Sequence, residues 1–383
     1  NIRRKYLMLY SRNSLHTPFA IRDKFFDIDF SLFFSVLLLG IISIFAQYSS
    51  SGGEWASHSI NHAVRFLVFF LFFLAISFIN ISLWSRFSFL IFVSFILLLF
   101  AVKFFGLQSQ GSRRWINLFV FVLQPSELMK IGIILFLANY YHRISSSDVN
   151  KLKYLLVPVI AIFIPFTIVI TQPDLGTALL ILFSGVIITW LAGVRWKIFA
   201  YLSLLAVIMA PIAISFLKPY QKSRILSFLN PDLDPLGAGY QIIQSKIAIG
   251  SGGLFGKGFL NGSQAYLDFL PEKHTDFIFT LYAEEFGFFG SILMIFLYFL
   301  ITYRIVHIGN ITRSVFGKLF CYGFSTAFFI YVTVNMSMVL GLLPIVGAPL
   351  PILSYGGSSM LAIMFGLGIV MSCSVYKNNP VSS

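Results

Sequence analysis

The sequence predicts an all-α polytopic membrane protein of about ten transmembrane helices, and three observations carry that prediction. Of 383 residues, 58% are hydrophobic and 11% charged, whereas a soluble domain averages about 25% charged residues. The mean hydropathy is +0.87, more apolar surface than a water-soluble fold of this size can hide but not more than a bilayer can. Apolar runs of span length also recur along the whole chain, with phenylalanine alone supplying 45 residues.

The elements follow in chain order. Residues 1–28 are polar and basic, with no signal-peptide core before Asp29, and read as a cytoplasmic N-terminal segment. A span needs about 20 apolar residues. Ten runs qualify: 29–47, 63–81, 87–105, 123–141, 155–171, 174–193, 198–217, 277–303, 316–341 and 354–375. Residues 29–375 thus form one transmembrane domain, and 376–383 a cytoplasmic tail. The fourth run carries Glu127 and Lys130, and the eighth Glu284 and Glu285. Such charges weaken a span by hydropathy and mark it as chemically interesting. A long loop, 218–276, joins spans seven and eight and is broken early by Pro219, Pro231 and Pro235. Within it, 237–249 reads as a short amphipathic helix lying at the membrane interface. The glycines from Gly250 to Gly262 imply tight turns and close backbone approach. The Gly253-Leu-Phe-Gly256-Lys257 stretch lacks the spacing of a P-loop. Cys321 and Cys373 fall inside apolar runs and read as packing residues.

The net charge of +13 is a topology signal rather than a sign of a nucleic-acid partner. With the N-terminus in the cytoplasm, the inner segments hold sixteen basic residues and four acids, and the rest of the chain is nearly neutral. Cytoplasmic loops carry such an excess, and an even number of spans puts both termini inside. The outer loops 48–62, 172–173 and 342–353 contain no Lys or Arg. Two groups break the pattern. Lys218, Lys222, Arg224, Lys246, Lys257 and Lys273 lie in the long outer loop, where the rule is relaxed. Arg113 and Arg114 lie in a short one. They read either as contacts to lipid headgroups or, the preferred reading, as a site for an anionic substrate outside the membrane.

The unusual polar residues converge on the outer ends of spans four, six, eight and ten. Span four begins Gln124-Pro125-Ser126-Glu127-Leu-Met-Lys130, and span six begins Gln172-Pro173-Asp174. Span eight follows Pro271-Glu272-Lys273-His274-Thr275-Asp276, and span ten opens on Ser354-Tyr355-Gly356-Gly357. Pro at the first turn and Ser or Asp at the cap explain some of these as helix starts. Capping does not explain Lys130, which shares a helix face with Glu127, and an intramembrane ion pair is costly and usually functional. Asp276 at a helix start is either an ordinary cap or an ionised acceptor suited to general-base work on a sugar hydroxyl. Glu284 and Glu285, eight and nine residues further on, are expected roughly 12 Å deeper, in packing roles. His274 reads as base, ligand or loop residue, and one histidine makes no metal motif. No cofactor is demanded. A divalent cation, magnesium or manganese, held by Asp268, Glu272 and Asp276 is the one candidate.

These stretches together resemble the bacterial SEDS family. The resemblance rests on Asp234-Pro-Leu-Gly-Ala-Gly-Tyr-Gln-Ile-Ile-Gln-Ser-Lys246, Phe269-Leu-Pro-Glu-Lys-His-Thr-Asp276-Phe277 followed by Glu284-Glu285, Arg114-Trp115-Ile-Asn117, Gln124-Pro-Ser-Glu127-Leu-Met-Lys130 and Gln172-Pro-Asp-Leu-Gly-Thr177. The stretch Gly341-Leu-Leu-Pro-Ile-Val-Gly-Ala-Pro-Leu-Pro-Ile-Leu-Ser-Tyr-Gly-Gly357 is closer to the elongation branch of the family than to its division branch. Phe286, where Leu is common, is a mild departure.

The resemblance implies a peptidoglycan glycosyltransferase with ten transmembrane helices. It would polymerise lipid II outside the cytoplasmic (inner) membrane beside a class B penicillin-binding protein and other elongation-complex membrane proteins. It maps the family's essential aspartate onto Asp276, a second acidic position onto Asp268, and the fourth-span Glu and Lys onto Glu127 and Lys130. The expected site is therefore Asp276 as catalytic base, with Glu127, Lys130, Arg113, Arg114, Asp268, Lys273, His274, Asp174 and Ser354 around the substrate. Two other readings stand beside it: a lipid II flippase or transporter, which needs polar residues continuing to the inner leaflet, and a non-catalytic scaffold of the elongation complex.

Overall fold

The computed structural model describes residues 21–109, 112–117, 122–215, 222, 226–228, 230, 237–263, 272–379 and 381. A short helix, α1 (Ile21–Phe26), precedes α2 (Phe30–Ser50), α3 (Ser57–Ser77), α4 (Ile81–Phe105), α5 (Pro125–His142), α6 (Leu152–Thr171), α7 (Leu175–Leu191) and α8 (Trp196–Ser215). Then come α9 (Ala238–Ser251), α10 (Ile278–Ile311), α11 (Val315–Val339) and α12 (Gly357–Val375). Every expected span is helical. Seven of them, α2, α3, α4, α6, α10, α11 and α12, are long and apolar enough to cross a membrane. The other three fall short for local reasons. Helix α5 carries Glu127 and Lys130, α7 has 17 residues, and the apolar run of α8 covers Trp196–Met209.

One outer connection departs from the all-α expectation. Between α4 and α5 run β1 (Leu107–Ser109), β2 (Ser112–Asn117) and β3 (Val122–Leu123), an antiparallel three-stranded sheet in that order. Side chains alternate across a strand, so Arg113 and Arg114 point to opposite faces of β2. That alternation separates two arginines that the sequence presents as a pair.

Helix α12 forms the centre of the bundle, with 89% of its apolar window buried. Small residues let helices close on it and on each other, as membrane packing requires. Gly366 lies against the Phe324 ring, Gly368 against Ile76, and Gly40 of α2 against the Phe66 ring of α3. A polar seam joins α4 to α5, where the Ser85 hydroxyl donates to Asn139 (2.6 Å) and the Asn139 amide donates to Ser88 (2.7 Å).

The two ends of the bundle differ. At one end, Asp29 caps α2 by accepting from the Leu32 N–H (2.8 Å) and pairs with Arg304 of α10. Beside it, Lys377 pairs with Asp27 (2.7 Å) and the Ser374 hydroxyl donates to the Asp27 carbonyl (3.0 Å). The start of α2 and the end of α12 therefore share one face, as an even number of crossings demands. The opposite end, which the charge pattern predicts to face outward, carries the sheet, α9 and the glycine-rich loop.

Helix α10 is about 51 Å long at 1.5 Å per residue, far more than a hydrocarbon core of about 30 Å. Gly287 breaks it, with φ 63 and ψ −157, a conformation glycine adopts without a Cβ penalty. The part after the break, about 36 Å, is span enough. Loop 252–262 docks on the break. The Lys257 and Gly258 N–H groups donate to the carbonyls of Glu284 and Glu285 (both 3.0 Å), and the Phe288 N–H donates to the Gly253 carbonyl (2.9 Å). Glu285 accepts from Ser49, the penultimate residue of α2. Glu284 and Glu285 thus sit level with the outer end of α2, not deep in the bilayer. The expected depth assumed a straight helix along the membrane normal, and Gly287 removes that geometry.

Candidate active site

A cavity of about 730 Å³ opens at the end of the bundle that carries the sheet, among α3, α5, α7, α10 and α12. It gathers four carboxylates, Glu127, Asp174, Glu272 and Asp276, and two guanidinium groups, Arg65 and Arg114. Five of these six come from the convergent helix starts and the short arginine-bearing loop that the sequence singles out. They lie far apart in the chain and meet because antiparallel helices return their N-termini to one end.

Asp276 sits in the turn 272–277 just before α10. The N-cap position of α10 is Phe277, so Asp276 stands one residue outside the helix start. Its turn is fixed from three sides. Gln47 of α2 donates to the His274 carbonyl (2.9 Å), Asn335 of α11 donates to the Asp276 carbonyl (3.0 Å), and Ser354 donates to the Thr275 carbonyl (2.7 Å). Asn335 also donates to the Ala348 carbonyl (2.7 Å), tying the α11–α12 loop to the same turn. Gly347 of that loop faces the Asp276 carboxylate at φ 73.

Glu127 and Lys130 pair at 2.7 Å, and both are buried. Glu127 faces the cavity, while Lys130 lies behind it. Asp174 caps α7 by accepting from the Thr177 N–H (3.2 Å) and also accepts from the Gln124 amide (3.2 Å). Arg114 donates to the Gln172 carbonyl (3.1 Å) and the Pro173 carbonyl and stands 3.7 Å from Asp174. It therefore clasps the start of α7 as well as lining the cavity. Arg65 was missed. It lies on α3 with its guanidinium 4.9 Å over the Tyr355 ring, and among the described residues it forms no ion pair. Its signal was available, since a lone arginine inside an apolar span is costly unless it faces a polar cavity. Glu272, Tyr355, Ser358 and Ser359 complete the wall. Ser358 accepts from the Gln124 N–H (2.8 Å) and donates to the Val122 carbonyl (3.0 Å), joining α12 to the start of α5.

Other expected residues stand around the cavity rather than in it. Arg113 is exposed on the far face of β2. Lys273 and His274 are half-buried in the Asp276 turn, where His274 stacks on His58 at 5.2 Å and its Nδ1 lies 2.8 Å from the Ser50 hydroxyl. Ser354 is buried and spent on the two backbone bonds that hold the loop to the turn. Asp268 lies outside the described residues. Glu284 is buried against Lys257 at 2.6 Å, consistent with packing. Among the described residues no group of three or more His, Cys, Asp or Glu is placed to hold a metal. Glu272 and Asp276 facing one cavity do match the one or two carboxylates that hold magnesium beside substrate phosphates.

Comparison with known proteins gives one answer. Residues 25–379 match the cell cycle protein family of FtsW, RodA and SpoVE. The peptidoglycan glycosyltransferase MrdB of Escherichia coli K12 is 45% identical over 285 residues, 74% of this chain and 76% of MrdB. Stage V sporulation protein E of Bacillus subtilis is 35% identical, over 91% of this chain and 97% of that protein. A solved chain from a peptidoglycan synthase complex that coordinates polymerisation and crosslinking superposes with a TM-score of 0.79 at 30% identity, covering 92% of this chain and 98% of that one. The rod shape-determining protein RodA of Thermus thermophilus superposes at 0.69 with 24% identity, covering 92% and 98%, which speaks for the fold. By sequence and by fold, then, this multi-pass membrane protein belongs to the FtsW/RodA/SpoVE family of cell cycle proteins, the SEDS family.

Proposed function

We propose that the protein is a peptidoglycan glycosyltransferase of the elongation branch, polymerising lipid II at the outer face of the bacterial inner membrane. The observation that carries this is the single cavity in which Asp276 meets two arginines at the outer ends of the helices. A saccharide-lipid diphosphate needs both: a base for the incoming hydroxyl and cations for the leaving group. In this reading Asp276 takes the proton from the 4-hydroxyl of the acceptor sugar as that oxygen bonds to the anomeric carbon of the growing strand. The bond from that carbon to the diphosphate breaks, undecaprenyl diphosphate leaves with the electron pair, and attack from the opposite face inverts the centre. Charge develops on the diphosphate in the transition state, where fixed cations stabilise it most. Arg65, without a carboxylate partner among the described residues, is the first candidate and Arg114 the second. A divalent ion, magnesium or manganese, would be held by Glu272 and Asp276 and would add positive charge beside the phosphates. A class B penicillin-binding protein, with other elongation-complex membrane proteins, is the partner this activity calls for.

A positioned general base contributes about 10²–10⁴-fold. The purified D276A variant, assayed with its partner on lipid II with and without chelator, should lose polymerisation by that factor while keeping the melting temperature of the wild type. Wild-type turnover in D276A would overturn the assignment. Lipid II scrambling in liposomes without polymerisation would favour the flippase instead, and growth supported by D276A in cells the scaffold.

A further inference from the structure

Tyr331 lies on α11, in none of the motifs of the sequence, yet it touches both members of the buried ion pair on α5. Its hydroxyl donates to Glu127, at 3.0 Å from each carboxylate oxygen. Its ring face lies under the Lys130 ammonium, 3.9 Å from the ring centroid. The Lys130 ammonium donates to the same carboxylate at 2.7 Å. All three side chains are buried. Tyr331 packs in turn on Leu180 of α7 and Ala348 of the α11–α12 loop, the loop that faces Asp276. Among the described residues its charged partners are Glu127 and Lys130 on α5, and Leu180 and Ala348 are apolar.

One phenol thus answers an anion with its O–H and a cation with its π face. Only the Glu127 carboxylate reaches the reaction cavity, since Lys130 and Tyr331 line a separate space of about 20 Å³ behind it. A carboxylate held by Lys130 alone could swing about one bond; a second donor from another helix fixes its plane. We propose that Tyr331 is a positioning residue for the glycosyl transfer, aiming the Glu127 carboxylate into the cavity and holding Lys130 behind it. This rests on the function proposed above.

The test is Y331F, which keeps the ring, the packing and the cation contact and removes only the hydroxyl. Hydrogen bonds to charged groups contribute about 1.5–3 kcal/mol, so kcat for lipid II polymerisation should fall about tenfold to hundredfold. Loss of positioning rather than of binding should leave KM within about threefold. Y331L, which also loses the ring face, should fall further. A Y331F enzyme with the kcat of the wild type overturns the proposal, as does a loss confined to KM. Should Y331F melt early, kcat is read well below its melting temperature against the wild type at the same temperature, and an unchanged kcat there overturns the proposal. Failure of the wild type itself to polymerise lipid II would count against the proposed function instead.

Discussion

At the scale of single residues, the cavity distinguishes arginines that look alike in the sequence. Arg114 is engaged with two carbonyls and Asp174, Arg113 points away, and Arg65 lies over an aromatic face and forms no ion pair among the described residues. Replacing Arg65 by Leu should therefore cost about tenfold to hundredfold in kcat/KM for lipid II, the range of a hydrogen bond to a charged group, with Arg65→Lys recovering part of it. Steady-state kinetics on the folded variant checks this, and an unchanged kcat/KM would remove Arg65 from the site. The sequence showed Asp276, Glu127, Lys130, Asp174 and Arg114 because charges in or beside apolar runs are conspicuous. It did not show Tyr331 or Asn335, since a single uncharged tyrosine or asparagine among the apolar, Ser and Thr residues of α11 has no pattern of its own. Nor did it show that Ser354 and His274 serve the shape of the turn, because that depends on backbone groups of α2 and α10 meeting in space.

At the scale of elements, the ten helices were legible from hydropathy, to within a few residues at most ends. The small sheet was not, because three strands of two to six residues are too short to carry a period. The break in α10 was not legible either. A glycine within an apolar run is tolerated in most membrane helices, and only the docking of loop 252–262 makes Gly287 a corner. A Cβ at Gly287 would stand 2.3 Å from the Gly256 nitrogen and would force a non-glycine residue into the region near φ 63 and ψ −157 that essentially only glycine enters, a conformation that costs about 1–3 kcal/mol by itself. G287A should lower the melting temperature in detergent by several degrees and reduce polymerisation, because the same short helical arm carries Asp276. A variant as stable and active as the wild type would show that the corner is dispensable.

At the scale of the whole molecule, the charge asymmetry and the pairing of Asp27 with Lys377 describe one orientation. A single cysteine introduced at Arg113, on the exposed face of the sheet, should react with a membrane-impermeant maleimide in cells whose outer barrier is opened. One introduced at Lys151 should react only after the inner membrane is breached. The native Cys321 and Cys373 are buried and leave the background low. The reverse pattern would invert the molecule. The wall of the cavity has a further consequence, in time rather than in space. It needs Arg65 from α3 together with Tyr355, Ser358 and Ser359 at the start of α12. A chain emerging from the ribosome N-terminus first carries no complete cavity until α12 enters the membrane. Copies cut short before α12 thereby lack the site, however well their earlier helices fold.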